Sequence, residues 1–159
     1  MAGTMNGRIL FIAALLVLGA TTTRAKAAQP TSGCSLSGAA IAFGAYDPTS
    51  AIALDSAGTV VYRCGQRDHN IMITLSQGGG TSYATRRMVK GADQLFYNLY
   101  RDAGRTVIWG DGSAGTQAYI IQNPPNNQDI NVPIFGRIPP LQNAGEGVYG
   151  DTITVTLTF

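Results

Sequence analysis

The sequence predicts an all-β protein, an antiparallel sandwich or barrel in one domain. Three observations carry this. Short runs of alternating apolar and polar residues recur along the chain, each closed by Gly, Pro, Asn or Asp. No segment sustains a helical period with capping residues at its ends. The chain is rich in Gly and Thr, and only 13% of its residues are charged.

The front of the chain reads as a targeting segment. Arg8 precedes the apolar run 9–18, and a small, polar stretch then leads to Ala25-Lys26-Ala27. A basic start, a short apolar run and an A-x-A site predict a secretory signal peptide over residues 1–27, cleaved after Ala27. The run is well short of the roughly 20 residues a membrane-spanning helix needs. No membrane span is therefore expected after cleavage, and the domain is 28–159. Of the 11 Lys and Arg, three lie in 1–27, whereas none of the nine Asp and Glu do. The remainder carries eight basic against nine acidic residues, a net charge of −1. That gives no basis for nucleic-acid binding, which needs a basic patch. Arg86, Arg87 and Lys90 cluster, but beside a strand they read as a solvated face.

The strands follow in order. Residues 39–43 form a first strand, ended by Gly44-Ala45-Tyr46-Asp47-Pro48. Residues 59–64 form the next, with Val60, Tyr62 and Cys64 on one face toward the core. In 70–77, Ile71, Ile73 and Leu75 share a face, and Gly78-Gly79-Gly80 breaks the strand as a flexible turn. Residues 86–90 read as a short edge strand. In 94–101, Leu95, Tyr97 and Leu99 oppose Phe96, Asn98 and Tyr100; the turn 102–105 then leads to 106–109 as a hairpin. Strands over 117–122 and 130–135 come next, and Pro133 predicts that the second is at an edge, bulged or short. The last is 149–159, where Ile153, Val155, Leu157 and Phe159 alternate with threonines. This strand is strongly apolar on one face, and no turn follows to bring back another strand. It is either an ordinary last strand or one that needs a partner from elsewhere.

Export to an oxidising compartment predicts a disulfide between Cys34 and Cys64. Two cysteines and one histidine, His69, do not supply an ordinary zinc shell. Neither catalysis nor a cofactor is expected. His69 stands beside Asp68 in a polar turn, and adjacent residues on a strand point apart. The carboxylates are scattered, so no acid–base pair can be argued. Trp109 and Asp111 are candidates for a loop contact surface, against a packed tryptophan at a hairpin tip.

Five segments taken together resemble a known family. They are 43–46 (FGAY), 58–64 (GTVVYRC), 95–102 (LFYNLYRD), 132–139 (VPIFGRIP) and 147–157 (GVYGDTITVTL). In this order, with both cysteines and the signal peptide, they resemble a spore coat protein U domain, the unit of archaic (Csu-type) chaperone–usher pilus subunits. The resemblance implies an immunoglobulin-like β-sandwich lacking its final strand, with a groove along Ile153, Val155, Leu157 and Phe159. It also implies a non-enzymatic subunit of a surface fibre, acting in adhesion and biofilm formation. Its implied partners are a periplasmic pilus chaperone and other pilus subunits, which lend a strand to the groove, and an outer-membrane usher, where the subunit's strand replaces the chaperone's.

One departure stands out. Between Ala27 and Cys34 the chain has only Ala28-Gln29-Pro30-Thr31-Ser32-Gly33, with a proline and no large apolar side chain. That stretch does not suit strand donation, so an acceptor-type or tip-proximal subunit is expected. The other readings are a self-complete adhesive or ligand-binding sandwich and a spore or cyst coat protein.

Overall fold

Alternating sequence becomes alternating burial. The structure, a computed structural model, describes residues 4–12, 33–65 and 70–159. The expected cleavage site, the stretch 28–32 and the Asp68–His69 pair lie outside the described residues. Nine strands form among them: β1 (Thr4–Ile12), β2 (Cys34–Ala40), β3 (Leu54–Cys64), β4 (Asn70–Leu75), β5 (Arg86–Lys90), β6 (Asp93–Tyr100), β7 (Tyr119–Gln122), β8 (Asp129–Ile138) and β9 (Gly150–Thr158). The only helix among them is a single 3-10 turn, Tyr83–Thr85.

Every strand pairing is antiparallel, in the order β2-β3-β8-β6-β5-β9-β4-β7, with β1 added against β9. Strand β6 makes the corner. Its first part pairs with β5, while Asn98, Leu99 and Tyr100 pair with Arg137, Gly136 and Phe135 of β8. The sheet thus folds over at β6 into two layers, an immunoglobulin-like β-sandwich. Val60, Tyr62, Ile71, Ile73, Leu75, Leu95, Leu99, Ile134, Ile153, Val155 and Leu157 fill the space between the layers, all buried. These are the odd or even members of their strands that the period of two assigned inward. Cys34 and Cys64 stand opposite each other in the β2–β3 ladder and are joined by the disulfide.

Several expectations are corrected. The first strand starts earlier and ends at Ala40. Ile41 and Phe43 leave the ladder yet stay buried. The chain bends over Gly58, where a Cβ would collide with the Ala40 carbonyl and sit 2.8 Å from Ile41 Cβ. Pro133 lies within a ten-residue strand that is neither short nor wholly at an edge. The β6 ladder covers only residues 135–137 of β8. At Pro133 one flank of β8 therefore has no ladder partner, and a missing donor is tolerated. The hairpin after β6 is reduced to bridges: Trp109 N–H donates to Leu99 O (2.9 Å) and Arg101 N–H to Val107 O (3.0 Å). Asp102 holds its turn, accepting from the N–H groups of Thr106 (3.0 Å) and Val107 (2.8 Å). Those bonds keep the Asp102 carboxyl below its ordinary pKa, the Val107 bond contributing most.

Candidate functional site: the free flank of the last strand

Strand β9 stands out by what lies on either side of it. One flank carries β4, through Val155 to Thr158, and β5, through Gly150. Since a strand has two flanks, the other is left to β1. The β1 ladder runs unbroken from Thr4 opposite Thr158 to Ile12 opposite Gly150. Strand β1 also touches β2, so it occupies a slot between β2 and β9. Within the described residues of 33–159, no strand pairs with this flank.

Ile153, Val155 and Leu157 are buried beneath this flank, and Phe159 is half-buried. Phe159 closes one end, where its ring lies so near Gly33 that a Cβ there would come within 2.9 Å. On the outer face Thr152 is exposed, while Thr154, Thr156 and Thr158 are half-buried.

A buried polar footing anchors the other end. Asp151 accepts from Tyr97 Oη (2.7 Å), Gly79 N–H (2.9 Å) and its neighbour Thr152 N–H (2.7 Å). The triple glycine is therefore a fitted turn, which corrects its reading as a flexible one. Gly78 has φ +63°, and a Cβ there would collide with the Asp151 carboxylate and sit 2.6 Å from Ile153 Cδ1. Burial and the adjacent Asp151 charge push the Tyr97 phenol far above its ordinary pKa.

Beside it lies a residue that the sequence reading missed. Arg86 is fully buried rather than part of a solvated face. Its guanidinium donates to Ser76 O (3.2 and 2.9 Å), Trp109 O (2.6 Å) and Asn98 Oδ1 (2.9 Å). Asn98 Nδ2 donates in turn to Tyr83 O (2.9 Å). Desolvation lowers the Arg86 pKa to about 10, against the opposing pull of Tyr97, Tyr83 and Asp151, so the group stays charged at neutral pH. The period of two puts Arg86 on the same face as Met88, which the fold buries, but its charge outweighed that cue.

Of the two readings of Trp109, the packed one holds and the loop contact is corrected. Trp109 is fully buried, its Nε1–H donating to Ile73 O (3.0 Å) and its ring 5.5 Å from that of Tyr119. Asp111 is exposed, but its carboxylate accepts from Ser113 Oγ (2.6 Å) and Ser113 N–H (2.9 Å), closing its own turn. Among the described residues, no group of three or more His, Cys, Asp or Glu is placed to hold a metal, and no helix is long and apolar enough to cross a membrane.

The family model described as the Spore Coat Protein U domain matches residues 20–156. The chain belongs to the spore coat protein U domain family. Protein U of Myxococcus xanthus is 32% identical over 140 residues, 80% of this chain and 75% of that protein. Two solved structures are more distant. An antigen and type I fimbria protein of Burkholderia pseudomallei shows 13% identity and TM-score 0.42, covering 100% of this chain and 99% of that one. The AfaE-3 adhesin from Escherichia coli gives 13% and 0.42, covering 99% and 95%.

In this spore coat U domain the segments that carry the resemblance have structural work. Phe43 packs edge-on against Tyr97, with ring centroids 5.7 Å apart. Gly136 leaves room for Phe43, whose ring a Cβ would meet at 2.5 Å. Arg137 grips Asp55 across the β3–β8 ladder with both ends of its fork (2.7 and 2.9 Å).

Proposed function

We propose that this spore coat U domain is a non-enzymatic structural subunit of a secreted surface fibre of the chaperone–usher kind, assembled by strand donation to β9. One observation carries the reading: the flank of β9 opposite β4 is paired with β1, residues 4–12, and with no strand among the described residues of 33–159. Uncovered, that flank would present unpaired backbone groups beside Ile153, Val155 and Leu157, an aggregation hazard. A donated strand satisfies the backbone and fills the core with alternate side chains. A periplasmic chaperone would supply it first, and another subunit would replace it at an outer-membrane usher. The short, proline-containing stretch after Ala27 supports an acceptor-type or tip-proximal place in a fibre for adhesion and biofilm formation.

The test adds a strand. Phe159 follows directly on β9, so a linker and an alternating apolar strand joined to it can turn back along the free flank. In a chain of residues 28–159 this should give a soluble monomer melting at least about 10 °C higher than the unextended chain. An unchanged melting temperature would mean the domain is already complete. A second reading, a structural protein of a spore or cyst coat, is favoured by the match of residues 20–156 to the model described as the Spore Coat Protein U domain. Periplasmic chain that purifies with a bound chaperone speaks for the fibre; chain that is stable and purifies alone speaks for the coat.

A further inference from the structure

We propose that in the uncleaved chain residues 4–12 hold the free flank of β9 as an intramolecular placeholder, and that cleavage after Ala27 opens it. The proposal rests on the reading of this flank as a strand-accepting site. It adds an occupant and an event that releases it.

The register carries the argument. Nine consecutive pairs form without a shift. Met5, Gly7, Ile9 and Phe11 stand opposite Leu157, Val155, Ile153 and Asp151, the buried positions of β9. Asn6 and Arg8 stand opposite Thr156 and Thr154. A one-residue slip would bring Asn6 and Arg8 opposite the buried set, so one register is favoured over its neighbours. The stretch 28–33, with Pro30 and no large apolar residue, offers no comparable pattern.

Chain length permits an intramolecular arrangement. Strand β1 ends opposite Gly150, whereas β2 begins just after Gly33, which lies against Phe159 at the far end of β9. The chain must return over the length of β9, about 30 Å for a strand of this size. Residues 13–33 span up to about 70 Å when extended. The expected cleavage point falls within this connection. Cutting there severs β1 from the domain without cutting either paired strand. A strand held only by its own contacts loses the effective concentration that the tether provided, and leaves.

The experiment uses the full chain, refolded under oxidising conditions, with Arg8→Cys paired with Thr154→Cys and, separately, Asn6→Cys with Thr156→Cys. Non-reducing mass mapping should find an intrachain bond in monomers of at least one pair, with Cys34 still joined to Cys64. The slipped combination Gly7→Cys with Thr154→Cys should not form one. Amide exchange of unmodified β9 should be at least about tenfold slower in the full chain than in a chain of residues 28–159. A bond that forms only between chains makes a second copy the occupant and overturns the proposal. Absence of any bond, with equal β9 exchange in the two chains, overturns it as well. The chain carrying a strand beyond Phe159 decides separately whether the flank accepts a strand at all.

Discussion

Arg86 places a cation in the core with no carboxylate within salt-bridge reach among the described ion pairs. It is tolerated because its planar fork meets carbonyl and amide oxygens on three segments at once. Those oxygens depend on it equally, since a buried acceptor left without a donor retains its full desolvation penalty. Arg86→Met should therefore cost roughly 3–5 kcal/mol. Arg86→Lys should recover only part of that, because a single ammonium cannot reproduce the fork. Urea denaturation measures both; losses under about 0.5 kcal/mol would show that the network is not what secures this corner.

At the scale of the element, β9 has two faces with different tolerances. Leu157 and Val155 are buried, whereas Thr156 is half-buried on the opposite side. Leu157→Asp removes about 2–3 kcal/mol of apolar burial and adds several more for an unpartnered carboxylate, unless it takes up a proton. Thr156→Lys carries its charge toward solvent and should cost less than about 1 kcal/mol. Periplasmic level and thermal melting of the two variants check this. Equal damage from both would reverse the assignment of faces. Strand β5 shows the same period of two: it buries Arg86 and Met88 and exposes Val89.

Across the whole molecule, carboxylates fasten the turns and ladder ends. Asp55 is held below its ordinary pKa chiefly by the Arg137 hydrogen bond, with Arg105 adding its charge from 3.2 Å. Asp111 is lowered by Ser113, and Asp102 by the Val107 and Thr106 amides. In each case the folded pKa lies below the unfolded one. The stabilisation is therefore complete above the unfolded value, near 4, and is lost as pH falls through the folded values. The melting temperature should be nearly flat from about pH 5 to 7 and drop below about pH 4, with a shallower acid limb in Asp55→Asn. A melting temperature unchanged down to about pH 2 would contradict this.

The all-β class and most inward faces were legible in the sequence, because a period of two is local: Ile71-Ile73-Leu75 and Ile153-Val155-Leu157 declare their side without knowledge of their neighbours. The cysteine pair was legible because export and an even count leave one intrachain pairing. Burial of Arg86 was not, since its charge argued for solvent and the acceptors that reverse the balance come from Ser76, Asn98 and Trp109, brought together only by the fold. A packed Trp109 was one of the readings the sequence offered, but its partner, the Ile73 carbonyl, was hidden because it is far away in the chain. The sequence by itself determined which face of β9 is apolar. Only the tertiary structure decided that β4 and β5 share one flank and that β1 takes the other, because strand pairing is a long-range choice made by register and reach.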